Sequence, residues 1–410
     1  MVTVMTDSST GRTAIDAEKV RAIISRYSAH TPNLAARAEK AGTAPDWDDI
    51  GRIPVLCKTE LPLLQAHKPP DGGVFDTTFE PTALFFSPSG VIEPILPRAA
   101  ERLAELLLKA GFRREDRVLN GFSYHFTPAG MLFHEALVRI GCCVLPTGPQ
   151  NIELQAQFAS KAAANAFVGI ASHLRLLLDS EKAASVKIRV AMAGAEPMAQ
   201  AIRDDLLKRH SVRCVDMYGF AEAGIIAWGD SGDGLLMLHD DVVAEVVDPA
   251  TLQRVPEGEV GELVVSLDSA GFPLLRFATG DLVRLVPADP QSGASAERMV
   301  LLGRTGNSVR VKGMLLYEAQ LRDFAHRVGL KACSISVSRD ANGLDQILLH
   351  ANAPGLDDHP FIMREFVNSC RLKAVGVRHD DTIVDGTFLI RDERKTEVAG
   401  NPLIGSREGP

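Results

Sequence analysis

Residues 276–282 read RFATGDL, and residues 301–313 read LLGRTGNSVRVKG. The first places an acid, Asp281, directly after a Thr-Gly turn, and the second offers a Gly-Arg step in which Arg304 follows Gly303. A carboxylate held on a turn presents acceptor oxygens suited to the vicinal hydroxyls of a ribose. A guanidinium is a planar fork of donors suited to hydroxyl or phosphate oxygens. Either motif alone is common in strand ends and solvated turns, so the weight rests on what accompanies them along the chain.

Upstream, residues 190–198 read VAMAGAEPM and residues 216–224 read DMYGFAEAG. Each is an apolar run ending in small residues and then a carboxylate, the pattern of a buried strand followed by a tight turn. CCVLPTGPQNIELQAQ precedes them, and EGEVGELVVSLDSAGFPLLRFATGDLVRL follows. Together these phrases resemble the adenylate-forming superfamily, and within it the phenylacetate–coenzyme A ligase branch of the aryl-CoA ligases. The likeness runs from the IPVLCKTEL segment at Ile53 to Lys395.

What the resemblance implies can be placed residue by residue. Asp281 and Arg304 would hold the nucleotide sugar, and Asp216, Met217, Tyr218 and Gly219 would flank the adenine, with Asp216 reaching its amino group. Glu196 and Pro197 mark a turn whose backbone lines the same pocket, where small Gly194 and Ala195 let a ligand approach the main chain. Glu222 matches the acid that holds Mg2+ against the phosphates, a hard oxygen donor suited to that ion. Lys395, in LIRDERKTEV with Arg391 before it, matches the cation that a mobile lid carries to the α-phosphate of ATP. In GFSYHFTPAG, Tyr124, His125 and Phe126 stand where related enzymes line the acid pocket, together with Gly194, Ala195, Gly219 and Phe220. Aromatic walls there suit an aromatic or bulky planar carboxylic acid.

The chain also departs from the family pattern. Its phosphate loop reads FFSPSGVIEP: Ser87, Ser89 and Gly90 are kept, but Glu93 stands where the family has a lysine. An acid beside a triphosphate is unfavourable, so grip on the pyrophosphate is expected to be weaker and a lysine restored at 93 to raise activity. Ala221 replaces the usual Thr before Glu222, and Thr305-Gly306-Asn307 replaces the hinge acid.

Three functions therefore stay open. One is a ligase that uses ATP and Mg2+ to make an acyl-adenylate and passes the acyl group to coenzyme A. A second is a biosynthetic adenylating enzyme serving a reductase, an amine or a carrier protein. The third is a nucleotide- or acyl-binding homologue without turnover. The retention of Lys395 beside Arg391 favours adenylation.

Composition agrees with an enzyme acting on small molecules. The 410 residues exceed a single compact core, and a net charge of −8 without a basic stripe argues against nucleic acid as a partner. The N-terminal MVTVMTDSSTGRT lacks the charged start and apolar core of a signal peptide, and no apolar run reaches the roughly eighteen residues of a membrane span. A cytoplasmic location without membrane association is expected, and a homodimer is left open. The six cysteines show no Cys-x-x-Cys spacing, which suggests reduced, buried thiols and no zinc site.

Periodicity outlines the architecture. Residues 15–40 and PRAAERLAELLLKAGF are helical in pattern, the latter with Leu103, Leu106, Leu107 and Ala110 on one face. Short apolar strands alternate with helices up to about residue 215, which implies crossover connections and a parallel sheet. From Leu236 to Val286 consecutive strands dominate. The expected fold is α/β: a large N-terminal domain (1–303) with mixed and parallel sheets and a small β-barrel-like subdomain, and a small α+β C-terminal lid domain (304–410), with PADPQSGASAE (287–297) as a surface loop.

Overall fold

A computed structural model of the chain describes residues 8–42, 46–87, 89–196, 198–249, 251–286, 297–305, 308–353 and 360–394. Lys395, Pro197, Gly306, Asn307 and residues 287–296 lie outside the described residues.

The alternation of apolar strands with amphipathic helices yields the expected parallel sheet. Strands Cys143–Pro146, Arg117–Asn120, Ala166–Gly169, Val190–Ala193 and Arg213–Phe220 lie side by side in that order, all parallel. Helix Ala99–Lys109 buries Leu103, Leu106 and Leu107 to 1% exposure or less, and Ala110 follows it into the same core, as the spacing predicts. The vicinal thiols divide: Cys142 is buried, while Cys143, at the start of the edge strand, is exposed. The expectation of buried thiols therefore fails at Cys143, on the sheet's edge strand, and holds only in part at Cys57, which is half-buried.

From Arg213–Phe220 onward the ladder turns antiparallel. It continues through Gly224–Gly229, Leu235–Leu238, Arg298–Arg304, Leu274–Val286, Val260–Leu267 and Val242–Val247, so both halves share one sheet. The strands at 242–247 and 260–267 are buried on nearly every residue rather than on alternate ones. The cause is the N-terminal segment. Helices Ser8–Tyr27 and Pro32–Ala38 lay Val20, Ile23, Tyr27 and Leu34 against Val243 and Leu275, covering the face that would otherwise meet water.

This half of the sheet also curls. Strands 213–220 and 274–286 are four ladder steps apart, roughly 19 Å in a flat sheet at the usual strand spacing. Yet the Tyr218 hydroxyl reaches Asp281 at 2.8 Å, and the Phe220 and Phe277 rings stack with centroids 5.7 Å apart. Only a strongly coiled ladder brings such residues together. A register shift at Tyr218/Gly219 marks one bend, and Gly219 is required there because a Cβ would sit 2.2 Å from the Gly224 carbonyl.

The residues after Arg304 build their own core. Strands Gly376–His379, Asp345–Ala351, Cys333–Arg339 and Phe388–Asp392 form a four-stranded sheet, backed by helices Glu318–Arg327 and Pro360–Cys370. Phe324 and Phe366 meet edge to face inside it. A hairpin, Ser308–Val311 with Met314–Tyr317, leads into this unit.

Two contacts seat the C-terminal unit on the rest of the chain. The hairpin turn at Gly313 is so close to Ile170 that an added Cβ would lie 2.4 Å from its Cδ1. The 340–344 turn packs Gly343 on Ala199 and Ala201, while Arg175 donates to the Asn342 carbonyl at 2.7 Å.

Candidate active site

The ribose-type pair forms as the sequence suggests. Asp281 and Arg304 are directly opposed on adjacent strands, with Arg304 Nη1 3.3 Å from Asp281 Oδ1, while the other carboxylate oxygen accepts from Tyr218. Gly280 adopts φ 78°, and a Cβ there would press on the Arg304 guanidinium at 2.9 Å, so the glycine is needed both for the turn and for the pair. Its amide donates to Glu262 at 2.9 Å, fixing the turn from behind. Burial, reinforced by the Asp281 charge, pushes the Tyr218 phenol well above its ordinary range, so it remains a neutral donor. A carboxylate can accept about four hydrogen bonds. Asp281 thus has room for two further donors, which is what a pair of sugar hydroxyls supplies.

Glu222 lies in the short turn between strands 213–220 and 224–229 and is fully buried. The turn is clamped by Arg102, which donates to the Ala223 carbonyl at 2.7 Å and is itself anchored on Asp241. Glu222 Oε2 accepts from Lys58 Nζ at 2.9 Å; Oε1 is buried without a hydrogen-bond partner among the described residues. Lys58 follows the two-residue strand Leu56–Cys57, which pairs in parallel with Phe277 and Ala278 just ahead of Gly280 and Asp281. Glu60 accepts from the Cys57 amide and holds this turn in shape. The same pairing therefore sets both the Lys58 ammonium, 6.0 Å from the centre of the Phe220 ring, and the Asp281 carboxylate.

The serine loop joins this cluster. It caps a hairpin of Leu84–Phe86 and Ile92–Pro94, with Gly90 at φ 79° and its amide bonded to the Ser87 carbonyl. Ser87 and Ser89 hydroxyls lie 2.7 Å apart. Glu93, across from Phe85, points inward at 1% exposure, and its Oε2 has no partner among the described residues. Burial pushes the Glu93 carboxyl up to about 8; Glu222 adds to the shift, and Lys58, the Ser87 hydrogen bond and Arg310 oppose it. Glu93 is therefore an interior group facing Glu222 and Lys58, not an acid projecting at solvent or phosphate.

The orphaned Glu222 oxygen and its hard donor chemistry fit a magnesium ion. When bound, such an ion would be held by Glu222 and would neutralise phosphate charge. Among the described residues no group of three metal-ligating side chains exists, so further ligands would come from phosphate oxygens and water.

Other sequence-based assignments are redirected. Asp216 is held in an ion pair by Arg203 of helix Gln200–His210, which also donates to the Cys214 carbonyl, so at least part of its carboxylate serves to pack that helix. Met217 lies over Gly194, where a Cβ would sit 2.6 Å from its Cε, so the small residue makes room for that side chain. Ala195, at φ 69°, faces the Gly313 turn. The Glu196 side chain accepts from Ser172 at 2.7 Å; burial pushes it up to about 7, with the Asp345 charge adding to the rise. His125 and Phe126 are exposed, Phe126 to 72%, because a left-handed turn at Phe126 (φ 62°) swings them outward. Of that trio Tyr124 alone turns inward, its hydroxyl bonded to Asn120 and 3.1 Å from His134. Lys395 lies outside the described residues; its neighbour Arg394 is buried, pinned by Asp345 at 2.6 Å and Asp392 at 2.8 Å and donating to the Arg310 carbonyl.

In the sequence Lys58 stands out only as part of the IPVLCKTEL phrase, and Glu93 reads as a departure from the serine-loop pattern. Their partner Glu222 is 164 positions from Lys58, and no periodicity or local spacing connects the two.

An acid–arginine pair on this curled sheet and a serine loop beside a buried glutamate are similar to the nucleotide site of adenylate-forming enzymes of the acyl- and aryl-CoA ligase superfamily. A family profile described as AMP-binding enzyme matches residues 111–270. Among curated proteins the chain is similar to phenylacetate-coenzyme A ligases. It is 28% identical over 334 residues to a phenylacetate-coenzyme A ligase of Thermus thermophilus, covering 75% of this chain and 74% of the relative. It is 24% identical over 359 residues to one of Pseudomonas putida, covering 81% and 80%. A solved structure of 2-hydroxyisobutyryl-CoA ligase, in complex with 2-HIB-AMP and CoA in the thioesterfication state, aligns with TM-score 0.78 at 19% identity, covering 96% of this chain and 92% of that one. The same ligase in an open conformation gives 0.66, and in the postadenylation state 0.66.

Proposed function

We propose that the protein activates a carboxylic acid with ATP as an acyl-adenylate and transfers the acyl group to coenzyme A. The observation that carries this reading is the Asp281–Tyr218–Arg304 cluster, on the same strand that, through Leu56–Cys57, positions the Lys58–Glu222 pair beside the serine loop. A sugar grip and a phosphate-facing group linked by one strand suit a nucleoside triphosphate whose α-phosphorus is attacked between them. Catalysis of that step is mainly positioning and charge neutralisation.

The two half-reactions divide the labour of the C-terminal unit (304–410). In adenylation Lys395 would approach the α-phosphate and the acid; in thioester formation the lid would turn and present the hairpin around Gly313. In the structure the hairpin turn at Gly313 packs against Ile170 and Ala195. Tyr124 and Phe220 are the aromatic groups of the proposed acid site, and an aromatic acid remains the favoured substrate class. The relatives named as phenylacetate-coenzyme A ligases support that choice.

The test is ATP-dependent hydroxamate formation across a panel of aromatic and aliphatic acids, followed by coenzyme A dependence of the product. Adenylate formation without any thiol-dependent product would favour a different acceptor. In the same assay Lys395→Ala is expected to abolish most adenylation while ATP affinity is retained.

A further inference from the structure

The serine loop lacks its lysine, yet an ammonium is present beside it. Lys58 arrives from the N-terminal turn, 2.9 Å from Glu222, and its charge acts on Glu93, the residue standing at the lysine's place. The Lys58 side chain is 16% exposed while that of Glu222 is fully buried, so the ammonium forms the solvent-facing side of the pair. The Ser87 hydroxyl lies 2.7 Å from that of Ser89 and 3.3 Å from the Val91 carbonyl, within the same loop.

We propose that Lys58 is the phosphate-binding cation of this cleft, supplied from the N-terminal turn rather than the serine loop, and that Glu222 holds its ammonium in place. The proposal rests on the nucleotide reading given above and extends it to the β- and γ-phosphates of ATP. A lysine whose ammonium is oriented by a buried carboxylate loses little further freedom on meeting a phosphate. Glu93, with its carboxyl pushed up to about 8 by burial, is then mostly a neutral acid near pH 7 and does not oppose the ligand. Restoring a lysine at 93 alone would place two ammonium groups together, so the gain expected from sequence is replaced by a loss.

The two roles open to Lys58, binding phosphate or merely neutralising Glu222, separate when ATP and AMP are compared, since AMP lacks the outer phosphates. Calorimetric affinities of the full chain for both nucleotides, with magnesium present, would be measured for wild type, Lys58→Gln, Lys58→Arg and the double variant Lys58→Gln/Glu93→Lys. Glutamine retains a hydrogen-bond donor toward Glu222 while removing the charge, which protects the fold. Loss of a charge-assisted contact predicts about tenfold or greater weakening for ATP, with AMP changed by less than about threefold. Arginine should retain most ATP affinity, and the double variant should recover it by returning the charge to the loop. Equal weakening of both nucleotides, an unchanged ATP affinity, or a folded double variant that fails to recover would overturn the proposal. Wild-type protein that binds neither nucleotide would instead refute the underlying assignment of the cleft, and the proposal with it.

Discussion

Replacing Asp281 by asparagine removes a charge with almost no change of shape. The carboxylate now accepts from Tyr218 at 2.8 Å and faces Arg304 at 3.3 Å, leaving capacity for two sugar hydroxyls. Hydrogen bonds to a charged group contribute about 1.5–3 kcal/mol. Loss of one such bond therefore weakens nucleotide binding by about 10- to 150-fold. The assay is direct titration with ATP and with 2′,3′-dideoxy-ATP. Wild type should prefer ATP, and Asp281→Asn should lose affinity for ATP but little for the dideoxy compound, which has no hydroxyls to offer. Equal losses for both ligands would refute the reasoning: Asp281 would then act only by bracing Tyr218 and Arg304.

Three further outcomes follow from the ion pairs around the site. Asp216→Asn should lower the melting temperature, because it breaks the pair with Arg203, and leave ATP and AMP affinities unchanged; a drop in either affinity would return Asp216 to the adenine site. Glu196 has its carboxyl raised by burial from 4.5 to about 7, so it favours the folded state fully below about 4.5 and that contribution is lost as the pH rises through about 7. Glu196→Gln should flatten this part of the stability profile between pH 5 and 8, and a slope equal to wild type in thermal melts would contradict it. Arg276→Met should destabilise the fold by about 3 kcal/mol, the low end for a broken buried pair because Arg254 still contacts Glu245. Urea unfolding measures this, and a change below about 1 kcal/mol would show that the buried pair contributes little.

What could be read from sequence was local. The helix at Ala99–Lys109 and the alternating parallel strands followed from spacing, since burial of one face repeats every turn or every second residue. Asp281 and Arg304 were found because each sits in a short, chemically distinctive phrase, and the strand register makes them neighbours. Asp216 shows the opposite case. A carboxylate near the middle of a strand looks the same in sequence whether a ligand or an arginine on the adjoining helix meets it, and here it is Arg203. The approach of Tyr218 to Asp281 depends on curvature accumulated over several strands, which no local pattern encodes. Burial of 242–247 on both faces likewise depends on helices that come from the far end of the chain.

The Arg276 side chain donates to the carbonyls of Gly51 and Ile53, at 2.7 and 2.5 Å, tying the segment ahead of Leu56 to the middle of the sheet. A shortened protein that began after Glu60 would keep the whole of the 111–270 region by which such chains are recognised. It would nonetheless lose the Lys58 ammonium and leave the buried Glu222 without that partner beside the serine loop. Recognisability and competence thus reside in different stretches of this polypeptide, and expression trials that trim the leading helices would sacrifice the second while preserving the first.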